Sequence, residues 1–133
     1  MPSKKRAPVP NESKTLSDLR LAEVMKKFSR AGIVLAAESD VERKLLNTSG
    51  TVVIKFWDGK MHLAEEAFAE VAKKLGDDIK FVCVQTRRRS LKEKYNLRVS
   101  PTYIFFEDGK EKSRIEGPSP SEALEVWCEI HSS

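Results

Sequence analysis

The sequence has no apolar run of about 18 residues, and among its 133 residues there are only two cysteines and two histidines. The first absence excludes a membrane-spanning helix. Two cysteines far apart in sequence do not make a disulfide scaffold, and two histidines offer no metal-ligand spacing, so we expect no cofactor and no metal. The remaining composition, 40% hydrophobic and 33% charged residues, is that of a single globular domain.

The formal net charge of +4 is too small to indicate nucleic-acid binding by itself. Two basic clusters stand out from the interleaved charges, Lys4-Lys5-Arg6 and Arg87-Arg88-Arg89. Residues 1–13 are rich in proline and basic residues and lack apolar periodicity, which predicts a disordered basic arm. No apolar segment follows this arm, so we expect no secretory signal and a cytoplasmic or nuclear location.

Hydrophobic periodicity predicts alternating strands and helices. The region 14–32 is expected to form an amphipathic helix whose apolar face we interpret as packing on its own domain rather than docking to a partner. Residues 33–133 predict the order βαβαβαββα, an α/β fold with a central mixed sheet flanked by helices. The predicted strands cover residues 33–35, 51–57, 79–84, 102–106 and 112–116, and the predicted helices begin at Ser39, Lys60, Ser90 and Ser119. In the helix over 60–75, Glu65 and Glu66 are expected to face water.

Residues 95–110 carry the most specific pattern. Ser100-Pro101 is a sharp bend, residues 102–106 are a β-branched and aromatic strand, and Asp108-Gly109 fits a tight hairpin turn. This stretch resembles the second half of a thioredoxin domain, in which a proline in the cis form lies between the third helix and the fourth strand. The resemblance extends over residues 33–131 and implies a thioredoxin-like fold with an additional N-terminal helix.

The paired cysteines of that family are missing from the matching loop. In redox-active members, the loop after the second strand carries a tryptophan and then Cys-x-x-Cys at a helix N-terminus, which lowers the pKa of the nucleophilic thiol. The loop here reads Phe-Trp-Asp-Gly-Lys-Met-His over residues 56–62. We therefore interpret the chain as a redox-inactive member that is not an enzyme.

The resemblance implies that a groove remains at the position of the active site. In the family, the residue before the cis-proline offers its backbone to an extended peptide, and such capture requires no thiol. This hypothesis describes a protein-interaction or assembly module, whose partner presents an extended peptide or a helix. Trp57 is interpreted as a core residue rather than a contact residue. The predicted groove residues are Trp57, Asp58, Gly59, Lys60, Met61, Ser100, Pro101 and Gly117.

Two other functions stay open. One is an enzyme related to thiol–disulfide oxidoreductases that uses Cys83 or Cys128, although both lie in apolar segments typical of buried, unreactive thiols. The other is an RNA- or nucleoprotein-associated factor that uses the basic arm with Arg87, Arg88 and Arg89. No aromatic residues for stacking bases are interleaved with these arginines, which disfavours nucleic acid.

Overall fold

The structure is a computed structural model that describes residues 16–45, 47, 49–60 and 65–132. The predicted disordered arm, the basic cluster at residues 4–6 and the groove residue Met61 lie outside these residues. Among the helices that are described, none is long and apolar enough to cross a membrane.

Five strands form one mixed sheet: β1 Val34–Ala36, β2 Thr51–Trp57, β3 Lys80–Gln85, β4 Thr102–Glu107 and β5 Lys110–Glu116. Their order in the sheet is β1-β3-β2-β4-β5. Strands β1, β3 and β2 are mutually parallel, β4 is antiparallel to β2, and β5 closes the edge as an antiparallel partner of β4. The predicted α/β fold with a central mixed sheet is confirmed.

Helices cover both faces of this sheet, which is why its central strands have no polar face. The helices are α1 Leu16–Arg30, α2 Glu65–Leu75, α3 Arg89–Lys94 and α4 Ser121–Ser132, and a π-helical segment covers Val41–Leu45. One face of the sheet packs against α1, α2 and α4, and the other packs against α3 and the π-helical segment.

Strand β2 shows how the sheet divides the core. Side chains alternate along a strand, so Val53 and Trp57 enter the cluster under α1, α2 and α4. Ile54 and Phe56 enter the cluster under α3 and the π-helical segment. Lys55 points to the same side as Trp57 and is fully buried. The central strand thus carries a charged side chain into the larger half of the core.

The N-terminal helix α1 belongs to the core of the domain. Val24 and Phe28 are buried on its apolar face, and Phe28 packs edge-on against Trp57 and Phe68 at 6.1 and 5.8 Å between ring centroids. The additional helix predicted before the first strand is confirmed. The contacts also show the predicted packing of its apolar face on its own domain.

Three local predictions differ from the structure. The short helix predicted from Ser39 is a π-helical segment, Val41–Leu45, whose hydrogen bonds close wider turns than those of an α-helix. Lys60 is not helical, and the described part of the next helix begins at Glu65. Ser90 was predicted to cap α3, but the cap is Arg88, in extended backbone and without a side-chain hydrogen bond.

The hairpin between β4 and β5 follows the predicted turn. Asp108 and Gly109 both have positive φ angles, 50° and 82°, as a two-residue turn between twisted strands requires. The Asp108 carboxylate also accepts a hydrogen bond from the Gly50 amide at 2.7 Å, which ties the hairpin to the start of β2.

Candidate functional site

Two turns meet at the carboxyl end of β2. The Asp58 amide donates a hydrogen bond to the Ser100 hydroxyl at 3.0 Å, and the peptide bond between Ser100 and Pro101 is cis. The carbonyl of Pro101 accepts a bond from the Gly117 amide at 2.8 Å. The structure therefore brings together the predicted groove segments around Asp58, Ser100, Pro101 and Gly117.

The loop after β2 is held by its own polar groups. The Asp58 carboxylate accepts a hydrogen bond from the Lys60 amide at 2.9 Å, which is the local turn that aspartate favours. The Trp57 indole donates to the Lys60 carbonyl at 2.6 Å. Asp58 acts here as a turn residue, and Lys60 is left exposed at the rim.

Trp57 is fully buried, so its side chain contacts the core and not the groove. The hydrogen bond from its indole to the loop explains the burial, because a buried indole N–H needs an acceptor. Its backbone carbonyl accepts a bond from the Thr86 amide at 2.7 Å. This placement agrees with the interpretation of Trp57 as a core residue. It disagrees with the prediction that Trp57 is one of the groove residues.

Gly59 lies against Gln85, a contact that sequence reasoning missed. Gly59 has a φ of +89°, and a Cβ added there would lie 2.3 Å from the Gln85 amide nitrogen. Strands β2 and β3 run side by side up to this point, since Trp57 is paired with Gln85. The positive φ is what requires a glycine here, because the Gln85 amide is the end of a flexible side chain and can turn away from an added Cβ.

Replacing Gly59 by alanine is expected to lower the free energy of unfolding by about 1–3 kcal/mol. The matched control is Gly117→Ala, since Gly117 also has a positive φ but no atom within 4 Å of its added Cβ. The difference between the two variants measures what displacing the Gln85 side-chain end adds to the backbone cost, and the double variant Gly59→Ala/Gln85→Ala should remove that part. Urea denaturation of the native chain and the three variants is the measurement, and an undiminished stability of Gly59→Ala would contradict the need for a positive φ at this position.

The accessible part of the groove lies beside Val99 and Ser100. Val99 is 45% exposed. A cavity of about 190 Å³ next to these residues is lined by both of them together with Asp58, Thr86 and Lys92. Within the described part of the chain, the Ser100 amide and carbonyl make no backbone hydrogen bond. An exposed apolar side chain and backbone groups without a backbone partner in the described residues thus lie side by side here.

The three arginines lie at the same edge of the sheet. Arg87 and Arg88 follow β3, Arg89 begins α3, and all three are exposed. The Arg88 amide donates a hydrogen bond to the Glu38 carboxylate at 3.1 Å. Thr86, one residue before them, lines the cavity beside Ser100. Arg87 and Arg88 themselves line a different cavity, which they share with Glu38.

Beneath the site lies a buried ion pair. The Lys55 amine is 3.7 Å from a carboxylate oxygen of Glu65, and both side chains are almost completely buried. Sequence reasoning placed Glu65 on the water-facing side of its helix, which is wrong. A lysine in the middle of an apolar strand needs a countercharge, and Glu65 meets that need ten residues later in the chain.

Aromatic rings surround the rest of the Lys55 amine. It lies 4.9–5.7 Å from the ring centroids of Trp57, Phe28, Phe68 and Tyr103, within the range of cation–π attraction. Among the described residues it finds no hydrogen-bond acceptor. Burial lowers the pKa of Lys55, while Cys83 and Glu65 oppose that shift.

Both cysteines are free and buried. Burial raises the pKa of the Cys83 thiol to about 12, an effect that the neighbouring Lys55 amine partly offsets. Burial also raises the pKa of Cys128 to about 12. Cys83 is paired across the sheet with Lys55 and lines a cavity of about 500 Å³ that also touches Gln85 and Arg87. No group of three metal-ligating side chains occurs in the described ranges.

A five-stranded mixed sheet of this order, with a cis-proline turn beside the loop that ends β2, defines a thioredoxin-fold protein. The family model described as Thioredoxin matches residues 32–129. The chain belongs to the thioredoxin family.

Relatives and solved structures agree with this assignment. The chain is 30% identical over 106 residues to the chloroplastic thioredoxin Y of Oryza sativa, covering 72% of this chain and 63% of that protein. It is 31% identical over 101 residues to the flagellar outer-arm dynein 14 kDa light chain of Chlamydomonas reinhardtii, covering 72% and 78%. A cysteine-to-serine mutant of Entamoeba histolytica thioredoxin superposes with a TM-score of 0.63 at 26% identity, covering 74% and 98%. The chain thus spans less than two thirds of the rice protein.

These names correct one prediction. Relatives called thioredoxins are oxidoreductases, and this finding contradicts the prediction that the chain is not an enzyme. That prediction depended on the cysteine-free loop over residues 56–62, on the lack of a nucleophile–base pair in the sequence, and on the apolar segments that hold Cys83 and Cys128. The chain keeps two reduced thiols, and Cys83 lies one strand away from that loop.

Proposed function

We propose that the chain is a protein-binding member of its family that captures an extended segment of a partner protein beside Pro101. The observation that carries the proposal is the Ser100 backbone, which makes no backbone hydrogen bond within the described residues and lies next to exposed Val99. Extended peptides bind through main-chain hydrogen bonds and an apolar contact. Binding at this groove is non-covalent, because residues 56–62 contain no cysteine.

Two further facts support an interaction or assembly role. The loop and the turn that form the groove are joined by the bond between Asp58 and Ser100, so the site is preformed and little ordering accompanies binding. One relative is named as a light chain of flagellar outer-arm dynein, a component of an assembly. We propose by analogy that this chain also acts by joining other proteins.

Replacing Val99 by asparagine tests the groove. Peptides selected on the native chain from a random 12-residue library are expected to bind with dissociation constants on the order of 10–100 µM. Loss of the apolar contact should weaken them about tenfold. In titrations followed by NMR, the amide signals of Val99, Ser100 and Thr102 should shift first.

The control is Val126→Asn, which alters a valine that is 54% exposed on α4. This variant should bind the selected peptides as the native chain does. Equal effects of the two substitutions, or no selected peptide that depends on Val99, would rule out the groove as the binding site.

Thiol–disulfide exchange is a second candidate function, favoured by the names of the relatives. It would use Cys83 or Cys128, whose pKa values near 12 keep both thiols protonated at neutral pH. Reduction of insulin with dithiothreitol as the electron source tests it. We expect turnover to be lost in Cys83→Ser if Cys83 is the nucleophile and to survive in Cys128→Ser. Turnover that survives both substitutions would exclude this function.

A further inference from the structure

Four consecutive exposed residues join β3 to α3, and their order is typical of a site that accepts phosphate from a protein kinase. Arg87, Arg88 and Arg89 precede Ser90, and all four side chains are exposed. Arginine-directed serine kinases favour substrates with arginines three and two residues before the serine, because carboxylates of the kinase pair with the guanidinium groups. Arg87 and Arg88 occupy those two positions.

The Ser90 hydroxyl is available for modification. It is exposed in the first turn of α3, and within the described part of the chain it takes part in no hydrogen bond. The Ser113 hydroxyl, by contrast, accepts a hydrogen bond from the Trp127 indole at 2.9 Å. Ser90 therefore combines the basic residues that a kinase recognises with an accessible acceptor oxygen.

The backbone before Ser90 is close to the extended form in which peptides bind to clefts. Residues 86–88 belong to no helix or strand, and Arg88 has φ and ψ angles of −92° and 138°. The first turn of α3 has no side-chain cap, and its first backbone hydrogen bond, from the Lys92 amide to the Arg88 carbonyl, is long at 3.4 Å. Extending this turn therefore breaks few hydrogen bonds and leaves Leu91, which is buried, in the core.

Ser29 shows the same spacing of basic residues in a place that excludes modification. Lys26 and Lys27 lie three and two residues before it, and its side chain is also exposed. It lies in the last turn of α1, however, directly after Phe28, which is completely buried. An extended segment there would pull Phe28 out of the core, so we expect the folded chain to present Ser90 and not Ser29 to a kinase.

The surroundings of Ser90 contain partners for a phosphate and carboxylates that compete with it. Ser90 lines a cavity of about 300 Å³ whose charged residues are three cations and two carboxylates: Arg43, Arg88, Lys94, Glu38 and Glu42. Glu42 pairs with Lys94, and Glu38 accepts a hydrogen bond from the Arg88 amide. A phosphoserine carries a charge of about −1.5 to −2 at pH 7 and repels both carboxylates. Phosphorylation would therefore rearrange the contacts of Glu38 and Glu42 with α3.

We propose that Ser90 is a phosphorylation site for an arginine-directed serine kinase. In the transfer, the Ser90 Oγ forms a bond to the γ-phosphorus of ATP, and the bond from that phosphorus to the oxygen that bridges it to ADP breaks. ADP leaves, and the hydroxyl proton passes to a carboxylate of the kinase. The proposal does not depend on peptide capture beside Ser100, so either one can fail while the other holds.

The test uses the native chain, magnesium ATP and the catalytic subunit of the cyclic-AMP-dependent kinase, which is arginine-directed. We expect uptake of phosphate on Ser90, located by tandem mass spectrometry, and none on Ser29. Ser90→Ala should lose this uptake. Arg87→Gln/Arg88→Gln keeps the acceptor serine and should lower kcat/KM for phosphorylation about tenfold or more, because two charge-assisted contacts to the kinase are lost.

The matched control is Arg20→Gln/Lys73→Gln, which removes the same number of exposed cations from α1 and α2 and should keep the native kcat/KM. Uptake at Ser90 that is as fast in Arg87→Gln/Arg88→Gln as in the native chain would refute recognition through the arginines. Absence of phosphate on Ser90 in the native chain would overturn the proposal. Uptake on Ser29 as fast as on Ser90 would also overturn it, since it would show that the kinase acts on the unfolded chain.

Discussion

Replacing Glu65 by glutamine should lower the free energy of unfolding by about 3–5 kcal/mol. The substitution keeps the size of the side chain but leaves the Lys55 amine, which is fully buried, without the carboxylate that now lies 3.7 Å away. The aromatic rings around the amine attract it, but they do not replace a countercharge. Urea denaturation monitored by far-UV circular dichroism gives the value.

The neighbouring residue provides the control. Glu66 pairs with Lys27 at 2.9 Å, but both side chains are more than half exposed. Glu66→Gln should therefore lower the free energy of unfolding by less than about 1 kcal/mol, because exposed ion pairs usually contribute no more than that. Lys55→Met combined with Glu65→Leu removes both buried charges and should be close to neutral. A Glu65→Gln variant no less stable than Glu66→Gln would show that the buried pair is not needed.

The pH dependence of the same variant has a defined sign. Burial lowers the pKa of Lys55 in the folded chain, and loss of the Glu65 carboxylate lowers it further. Between that lowered pKa and the ordinary value of about 10.4, the unfolded chain binds more protons than the folded one. The deficit of Glu65→Gln relative to the native chain should therefore shrink as the pH rises through this range. The Glu65 carboxylate also raises the pKa of Cys83 and of Tyr103, which face the same amine, so their ionisation differs between the two proteins. The comparison therefore belongs below the pH at which either group ionises in the folded chain.

Replacing Phe28 by alanine should destabilise the chain by about 3–5 kcal/mol. Phe28 is completely buried, packs against Trp57 and Phe68, and lies 5.1 Å from the Lys55 amine. Truncation opens a cavity beside a buried charge, so the cost should reach the upper part of the range for aromatic residues. Thermal and urea denaturation are the measurements.

Leu19→Ala on the same helix is the matched control. Leu19 is 44% exposed, so its truncation should change the free energy of unfolding by no more than about 0.5 kcal/mol. If α1 were a detachable docking element, Phe28→Ala would be as mild as Leu19→Ala. That result would refute the assignment of α1 to the core.

Local patterns predicted the elements whose burial is periodic. The apolar run of β2, the spacing of Val24 and Phe28 on α1, and the turn at Asp108 each depend on residues close together in the chain. The remaining features depend on which elements pack together in the folded chain. Whether Glu65 faces water depends on where Lys55 lies in the sheet, and a helical pattern contains no information about that.

The groove shows the same division. Ser100-Pro101 could be recognised from its sequence, because a bend before an aromatic strand is a local feature. The packing of Gln85 on Gly59, and the approach of Lys92 to Ser100, require β2, β3 and α3 to be arranged side by side. A basic residue in the first turn of a short helix carries no signal by itself.

The position of Phe28 also has a consequence for where the folding unit begins. The match to the family model starts at residue 32, yet the core extends back to Val24 and Phe28. A fragment cut at the start of the match would leave Trp57 and Phe68 partly solvated and would open a path for water to the Lys55 amine. The smallest fragment of this chain that folds independently is thus expected to begin before residue 32, where the match to the family model begins.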